Sequence, residues 1–279
     1  MLKQTIFCNL YKKNKPEGNN FISKQMGKDN QIKFLYRFIF PEKIEVSFEV
    51  KINSKTLLIE NDVSYIKNDW AKLENFRCPN CPLDKSKHEY CPLARNLAGV
   101  LNFFNSLPSY KEATVSVETN ERITYKNTTV QVGVGSLLGI IMASSGCPII
   151  GVLRPLVRFH LPFASLEETE YRVFSTYVFA QYFKYITGGT PDWNLEKLKQ
   201  AYEQIQIVNR SIVNKLSDIE LNDTSRNAVV TLSSFAEYII FNLEDKEYIH
   251  LKDIFNSFGE SSSDIELSSR TLLERETEE

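Results

Sequence analysis

The chain has 279 residues, of which 42% are apolar and 12% aromatic, and this is enough to bury a sizeable hydrophobic core. Its 33 Lys and Arg residues are balanced by 35 Asp and Glu residues, and a formal net charge of −2 argues against a protein that binds nucleic acid through a global positive field. Five cysteines, three of them crowded between residues 78 and 91, do not form the dense framework of a small secreted domain, so we expect a cytoplasmic protein.

The two ends of the chain differ in composition from the rest. Residues 1–30 are polar and rich in Lys, Asn and Gly, which predicts a flexible leader without the apolar core of a signal peptide. Residues 258–279 are rich in Ser and then in Glu, which predicts a disordered acidic tail or a short docking helix.

Residues 31–127 have the alternating pattern of β-strands. Apolar and polar side chains alternate along two neighbouring segments, which predicts an antiparallel pair, and a second hairpin is expected around Asn120 and Glu121. A short helix closed by Pro108 is expected between these pairs. The predicted strands are 34–40, 46–52, 56–60, 113–119 and 122–126, and the predicted helix is 93–104.

Residues 128–257 are expected to be helical. Ser165 followed by Glu168 is a capping-box pattern that marks the start of one helix, and Gly188 marks its end. Four helices joined by short loops predict a bundle, so the fold class is α+β, with antiparallel strands and a metal loop before about four helices. The predicted helices are 130–144, 165–188, 191–216 and 225–242.

Two apolar patterns within these helices suggest how they pack. Gly135, Gly139 and Ala143 recur every four residues, a spacing that lets another backbone approach closely. A stripe on the second helix is interpreted as part of the core, and its members are Tyr171, Phe174, Val178, Tyr182 and Tyr185.

The segment from Lys126 to Arg154 raises the question of a membrane span, because it contains no charge between its two ends. Ser144, Ser145, Gly146 and Pro148 interrupt it and favour a buried helix followed by a separate apolar segment. We therefore expect no membrane span.

The pattern C-x2-C-x6-H-x2-C is the strongest chemical signal in the sequence. Thiolate and imidazole are the ligands that a tetrahedral zinc ion prefers, and a full set of four protein ligands is typical of a structural site. The interpretation as zinc has two alternatives, thiols that bind no metal and an iron–sulfur cluster in which Cys147 replaces the histidine. The predicted zinc ligands are Cys78, Cys81, His88 and Cys91.

A second group of polar residues precedes the helix that starts at Ser165. Arg154, Arg158 and His160 are candidates for holding a carboxylate or phosphate near a helix N-terminus. Cys147, His160 and Glu168 are weaker candidates for catalysis, since a Cys and a His can form a thiolate nucleophile. The simpler alternative is structural: the arginines pair with Glu167 or Glu168, and His160 packs in the core.

Several blocks of the sequence resemble an uncharacterised bacterial domain family. They are Tyr36-Arg37-Phe38, CPNCPL with CPLARNL, SLLGIIMASSGCP from Ser136, LRPLVRFHLPFAS from Leu153, and Glu167-Glu168-Thr169. The resemblance covers roughly residues 33–245 and implies no catalytic role for any residue.

The expected function is that of a zinc-stapled regulatory or sensor module, which binds a small anionic ligand or an acidic surface of a protein partner. The alternatives are an enzyme that uses Cys147 and His160 for hydrolysis or thiol chemistry, and an iron–sulfur protein.

Overall fold

A computed structural model describes residues 30–61, 67–104, 107–218 and 223–245, together with residues 251, 254 and 255. The predicted leader, except for its last residue, and the predicted acidic tail lie outside these residues. The fold within them is α+β, as predicted, with an antiparallel sheet in the N-terminal part and mainly helices after it.

Four antiparallel strands form one sheet in the order β2-β1-β3-β4. The first two strands pair along their whole length, with Phe34 opposite Val50, and β1 also pairs with β3, with Phe38 opposite Val115. The segment predicted as a further strand at 56–60 forms only an isolated bridge between Ile59 and Ile52. The strands are β1 Gln31–Ile39, β2 Glu45–Asn53, β3 Glu112–Glu118 and β4 Ile123–Thr129.

The helices agree with the five predicted segments, including the one at 93–104, and further short helices are present between them. A short 3-10 helix, Asp69–Ala71, precedes the cysteine loop, and another, Ile150–Leu153, follows α3. Ser165 and Glu168 form the predicted capping box at the start of α5. The helices are α1 Leu73–Phe76, α2 Pro92–Phe104, α3 Val130–Ser144, α4 Arg154–Arg158, α5 Leu166–Ile186, α6 Glu196–Asp218 and α7 Asp223–Asp245.

Helices α2 and α3 cover one face of the sheet. Alternate residues of β1 are buried there, because successive side chains of a strand point to opposite faces. The ring of Phe38 lies 4.9 Å from that of Phe104 on α2, and α3 begins directly after β4. Helix α7 packs against α3 and α6, so the buried side chains of the sheet and of the helices form one continuous cluster.

Close approach of α3 to its neighbours depends on its glycines. A Cβ atom added to Gly133 would lie 2.5 Å from Cε1 of Phe38, so α3 contacts the sheet through bare backbone. A Cβ atom at Gly135 would lie 3.9 Å from the carbonyl oxygen of Ala228 on α7, which is ordinary contact.

The prediction of a core stripe on α5 was wrong for most of its members. Phe174 is buried, but Tyr171, Val178, Tyr182 and Tyr185 are exposed. Within the part of the chain that the structure describes, the main contacts of α5 are with α4 and α7, and few of these residues lie against its C-terminal half.

The uncharged segment around α3 was considered as a membrane span. Within the described ranges, none of the helices combines the length and the apolar character that crossing a membrane requires.

Candidate functional site

A pocket of about 500 Å³ lies among α3, the segment from Ile150 to Phe163, the start of α5, α6 and α7. This volume falls within the range of small-molecule sites, about 300–1,000 Å³. Most of its surface is apolar, contributed by side chains such as Met142, Leu156 and Leu232. The polar side chains that line it include Ser136, His160, Glu168, Arg172, Tyr202 and Asn209.

Tyr36, Ser136 and His160 form a hydrogen-bonded cluster at the wall of the pocket nearest the sheet. The hydroxyl of Tyr36 lies 2.8 Å from Nε2 of His160 and 3.0 Å from Oγ of Ser136, and Oγ lies 3.3 Å from Nε2. Burial, helped by the nearby charge of Arg172, lowers the pKa of His160 to about 3. The imidazole is therefore neutral at physiological pH.

Arg172 brings a positive charge to the same pocket from the second turn of α5. Its Nη2 donates to the carbonyl oxygens of Leu156, at 2.8 Å, and Phe159, at 3.1 Å, which lie at the end of α4. Burial lowers the pKa of the guanidinium, and the nearby Tyr202 and Glu168 oppose that shift. Among the described residues, no carboxylate lies within 4.0 Å of this guanidinium, so the charge has no ion-pair partner there.

Asn209 lines the pocket from α6, and its side chain carries a buried acceptor. The residue is only 3% exposed, and its oxygen Oδ1 has no hydrogen-bond partner in the part of the chain that the structure describes. Buried polar atoms without a partner are uncommon because each costs free energy.

The backbone next to the pocket is strained at Phe163. Its φ of 61° lies in the left-handed region, which residues other than glycine adopt at a cost of about 1–3 kcal/mol. Phe163 lines the pocket just after Pro162, so the strained turn shapes one edge of the cavity.

The residues predicted to hold an anion do not all reach this pocket. His160 lines it, but Arg154 and Arg158 are not among its lining residues. Arg158 is exposed, and the guanidinium of Arg154 packs on Gly151, with its buried Nε lacking a partner among the described residues. Within the described ranges neither arginine forms an ion pair with Glu167 or Glu168.

Sequence reasoning missed Arg172 and Asn209. Arg172 follows Glu168 by one helical turn on α5, and this spacing could have identified it as a cation on the same helix face. Asn209 has no comparable signal, because its burial depends on helices from other parts of the chain.

Cys147 and His160 have different surroundings, which weakens the expectation that they form a catalytic pair. Nε2 of His160 lies within hydrogen-bonding distance of the hydroxyls of Tyr36 and Ser136, and Cys147 does not line the pocket. Burial raises the pKa of the Cys147 thiol, whereas a thiolate nucleophile needs a lowered pKa.

The predicted zinc ligands lie in the loop between α1 and α2 and at the start of α2. The N–H of Cys81 donates to the carbonyl of Cys78 at 3.1 Å, which closes the tight turn expected of a CxxC pair. Cys78 and Cys91 are buried, Cys81 is half-buried and His88 is exposed. Within the described residues, which include these four, no three His, Cys, Asp or Glu side chains are placed so that they could hold a metal ion. The zinc site stays a prediction.

A comparison with family models matches residues 34–255 to the model described as Domain of unknown function (DUF6901). No curated protein and no solved structure matches the chain.

Proposed function

We propose that this chain, which belongs to the DUF6901 family, is a binding module for a small amphipathic molecule that carries a carboxylate or a similar anionic group. The observation that carries the proposal is the guanidinium of Arg172 at the wall of a mostly apolar pocket, with no ion-pair partner among the described residues. The apolar walls hold the hydrocarbon part of the ligand, and Arg172 pairs with its anionic group.

A partly buried charge needs compensation because it has lost part of its hydration. Two backbone carbonyls supply some of it for Arg172, and they leave other N–H groups of the planar fork for a ligand. A carboxylate fits that fork through two parallel hydrogen bonds, and such charge-assisted bonds are the strong ones. Glu168 also lines the pocket, but its Oε2 accepts from the N–H of Ser165 in the capping box.

Asn209 and Ser136 extend the recognition beyond charge. Asn209 lines the pocket with an amide side chain, which can donate or accept a hydrogen bond, so it favours a ligand with a second polar group in addition to its anion. The Ser136 hydroxyl is held by Tyr36 and His160 and offers a fixed polar contact on α3.

The chemistry of the site supports binding rather than catalysis. A general base works best with a pKa near the operating pH, and a pKa of about 3 makes His160 a weak base. The raised pKa of Cys147 makes it a poor nucleophile. A concave pocket also suits a small ligand better than the acidic surface of a partner protein.

We also propose a regulatory role for the cysteine loop, which lies outside the pocket. In this role the loop binds a structural zinc ion. Asn80 in this loop donates to the backbone carbonyl of Gln204 on α6, 3.0 Å away, and α6 also carries Asn209. A zinc ion that orders the loop would therefore also restrict the motion of α6, which forms one wall of the pocket.

Calorimetric titration with octanoate tests the proposal, with octanol and acetate as the matched ligands that lack the charge or the chain. Octanoate should bind more tightly than either. Arg172→Met should weaken octanoate binding about 10- to 100-fold, because a hydrogen bond to a charged group contributes about 1.5–3 kcal/mol.

Arg158→Met is the matched control, since Arg158 is exposed and outside the pocket lining. Equal losses in the two variants, or equal binding of octanoate and octanol, would contradict the proposal. Circular dichroism should show both variants folded.

A further inference from the structure

One side of α3 lines the ligand pocket over about three turns of the helix. Its lining residues run from Val132 near the start of the helix to Ala143 near its end, so the pocket follows α3 for about 16 Å at a rise of about 1.5 Å per residue. Helices α6 and α7 line the pocket over about two turns each, at residues 202–209 and 231–239. The pocket is therefore elongated along α3.

The two ends of this elongated pocket differ in their exposure to solvent. Lys126 and Val132 are exposed, so the end near the start of α3 is open. Met142, Ala143 and Ile150 are buried at the other end. A polar group of a ligand keeps more of its hydration at the open end, whereas the buried end suits hydrocarbon.

The polar groups of the pocket lie in its open half. Ser136 is on the second turn of α3, and its Oγ is 3.3 Å from Nε2 of His160. Arg172 donates to the carbonyl of Phe159, the residue before His160, at 3.1 Å. A carboxylate that pairs with Arg172 therefore lies near the level of Ser136, and the α3 channel, the part of the pocket from Ser136 to Ala143, remains for its hydrocarbon.

Gly139 lies in the middle of the α3 channel. Its neighbours Leu138 and Ile140 are buried, but Gly139 is half-buried and lines the pocket, so helix backbone forms the wall at this point. Among the described residues, the atom nearest to a Cβ added at Gly139 is Cδ2 of Leu232, at 3.8 Å, which is ordinary contact. Helix packing therefore does not require glycine here, although alanine would favour the helix more.

We propose that the hydrocarbon part of the ligand is an unbranched chain of about eight carbons that lies along the α3 channel, and that Gly139 determines the chain length that the pocket accepts. The seven residues from Ser136 to Ala143 rise by about 10 Å, and an extended chain advances by about 1.3 Å per carbon because C–C bonds are about 1.5 Å long. The terminal methyl group then contacts Met142 and Ala143. This inference rests on the proposed function and specifies its ligand.

Chain length should control affinity, because each methylene group that enters the α3 channel leaves water. Burial of one methylene group tightens binding about fourfold. In the unaltered chain, the affinity should therefore rise at each step from butanoate through hexanoate to octanoate. Dodecanoate should gain nothing further, because the channel ends at Met142 and Ala143.

NMR titration of the unaltered chain and of Gly139→Leu with these four fatty acids tests the role of Gly139. The three residues from Ser136 to Gly139 rise by about 4–5 Å, so a leucine side chain at position 139 leaves room for about four carbons. Gly139→Leu should therefore bind octanoate no more tightly than butanoate. Gly139→Ala, which adds a single methyl group, should prefer octanoate to butanoate, but by less than the unaltered chain does.

Two failures of this experiment have different meanings. If octanoate binds the unaltered chain and Gly139→Leu has the same chain-length preference, the role of Gly139 is overturned and the proposed function stands. If the unaltered chain binds octanoate no more tightly than octanol, the proposed function itself fails. Fourfold tighter binding for each methylene group beyond octanoate would overturn the closed end of the α3 channel.

Nuclear Overhauser effects in the unaltered chain answer the same question if Gly139→Leu fails to fold. The terminal methyl group of bound octanoate should show contacts with the methyl groups of Met142 and Ala143. Contacts of that group with Val132 instead would place the hydrocarbon at the open end and overturn the inference.

Discussion

The hydroxyl of Tyr36 joins three parts of the chain at one point. It comes from the centre of β1, and its partners Ser136 and His160 belong to α3 and to the segment that precedes α5. Tyr36 is fully buried, and burial raises the pKa of its phenol well above the usual value, so the hydroxyl keeps its proton and remains available as a donor.

Removal of this hydroxyl tests its contribution to stability. Tyr36→Phe should lower the free energy of unfolding by about 1–2 kcal/mol, because Ser136 and His160 lose a buried partner and keep only each other. Urea denaturation measures the change. Tyr125→Phe is the control at a residue that is 73% exposed, and it should change stability by less than about 0.5 kcal/mol. Equal effects would contradict the role of the cluster.

The buried imidazole of His160 predicts a pH dependence of stability. Its folded-state pKa of about 3 lies below the unfolded value of about 6.5, so the unfolded chain binds more protons between these two values. The stabilising contribution is therefore complete above about pH 6.5 and is lost as the pH falls towards 3. Between about pH 7 and pH 5 the loss from this one group should be about 1–2 kcal/mol.

Urea denaturation of His160→Gln at both pH values measures this loss as the reduction in pH dependence relative to the unaltered chain. A His160→Gln variant with the full pH dependence would show that other groups cause it.

At the scale of the elements, α3 is held between the sheet and α7 by contacts of different tightness. Gly133 faces Phe38 and Val115 on the sheet, and Phe38 is fixed by Phe48 and Phe104. Gly135, half a turn later, has room for a methyl group. Substitution of each glycine by alanine therefore separates the effect of packing on stability from the effect of helix propensity.

Gly133→Ala should destabilise the protein by about 1–3 kcal/mol, because the added methyl group overlaps a ring that has no space to move. Gly135→Ala should be neutral or stabilising by up to about 1 kcal/mol, the gain of Ala over Gly in a helix. Thermal unfolding compares the two. Similar melting temperatures would contradict the tight contact between α3 and Phe38.

The elements that sequence patterns predicted well are those with local causes. The alternation in β1 and β2, the turn near Asn120 and the capping box at Ser165 each act within a few residues, and the structure contains all of them. The pocket depends on residues from α3, α5, α6 and α7, so no local pattern marks it. Helical periodicity on α5 predicted a helix but not its neighbours, and this is why Tyr182 and Tyr185 were assigned to the core.

At the scale of the whole molecule, the C-terminal half of α5 presents an exposed apolar surface. The rings of Phe179 and Phe183 lie 4.7 Å apart on it and are 59% and 51% exposed. The two half-exposed rings therefore contribute little free energy of burial to the stability of this chain. Phe174 on the same helix is only 8% exposed.

Substitutions on α5 should separate these two regions. Phe183→Ser should change the free energy of unfolding by less than about 0.5 kcal/mol, since the ring is half exposed and Phe and Ser have similar helix propensities. Phe174→Ala should cost about 3–5 kcal/mol through the cavity that it leaves. Chemical denaturation compares them, and a large cost for Phe183→Ser would indicate that a second chain covers it.

The position of β1 at the centre of the sheet has a consequence for synthesis on the ribosome. Arg37 pairs with Glu118, 81 residues later, and Tyr36 meets His160 after 124 residues. Synthesis proceeds at about 5–20 residues per second, so the apolar side of β1 stays uncovered for on the order of ten seconds before the residues that pack on it have been made. Contacts between residues that are distant in sequence also slow folding, because the chain loses the entropy of loop closure before the stabilising contacts form. The nascent chain is therefore exposed to aggregation for longer than its final compactness suggests, and chaperones that hold extended apolar strands should raise its yield.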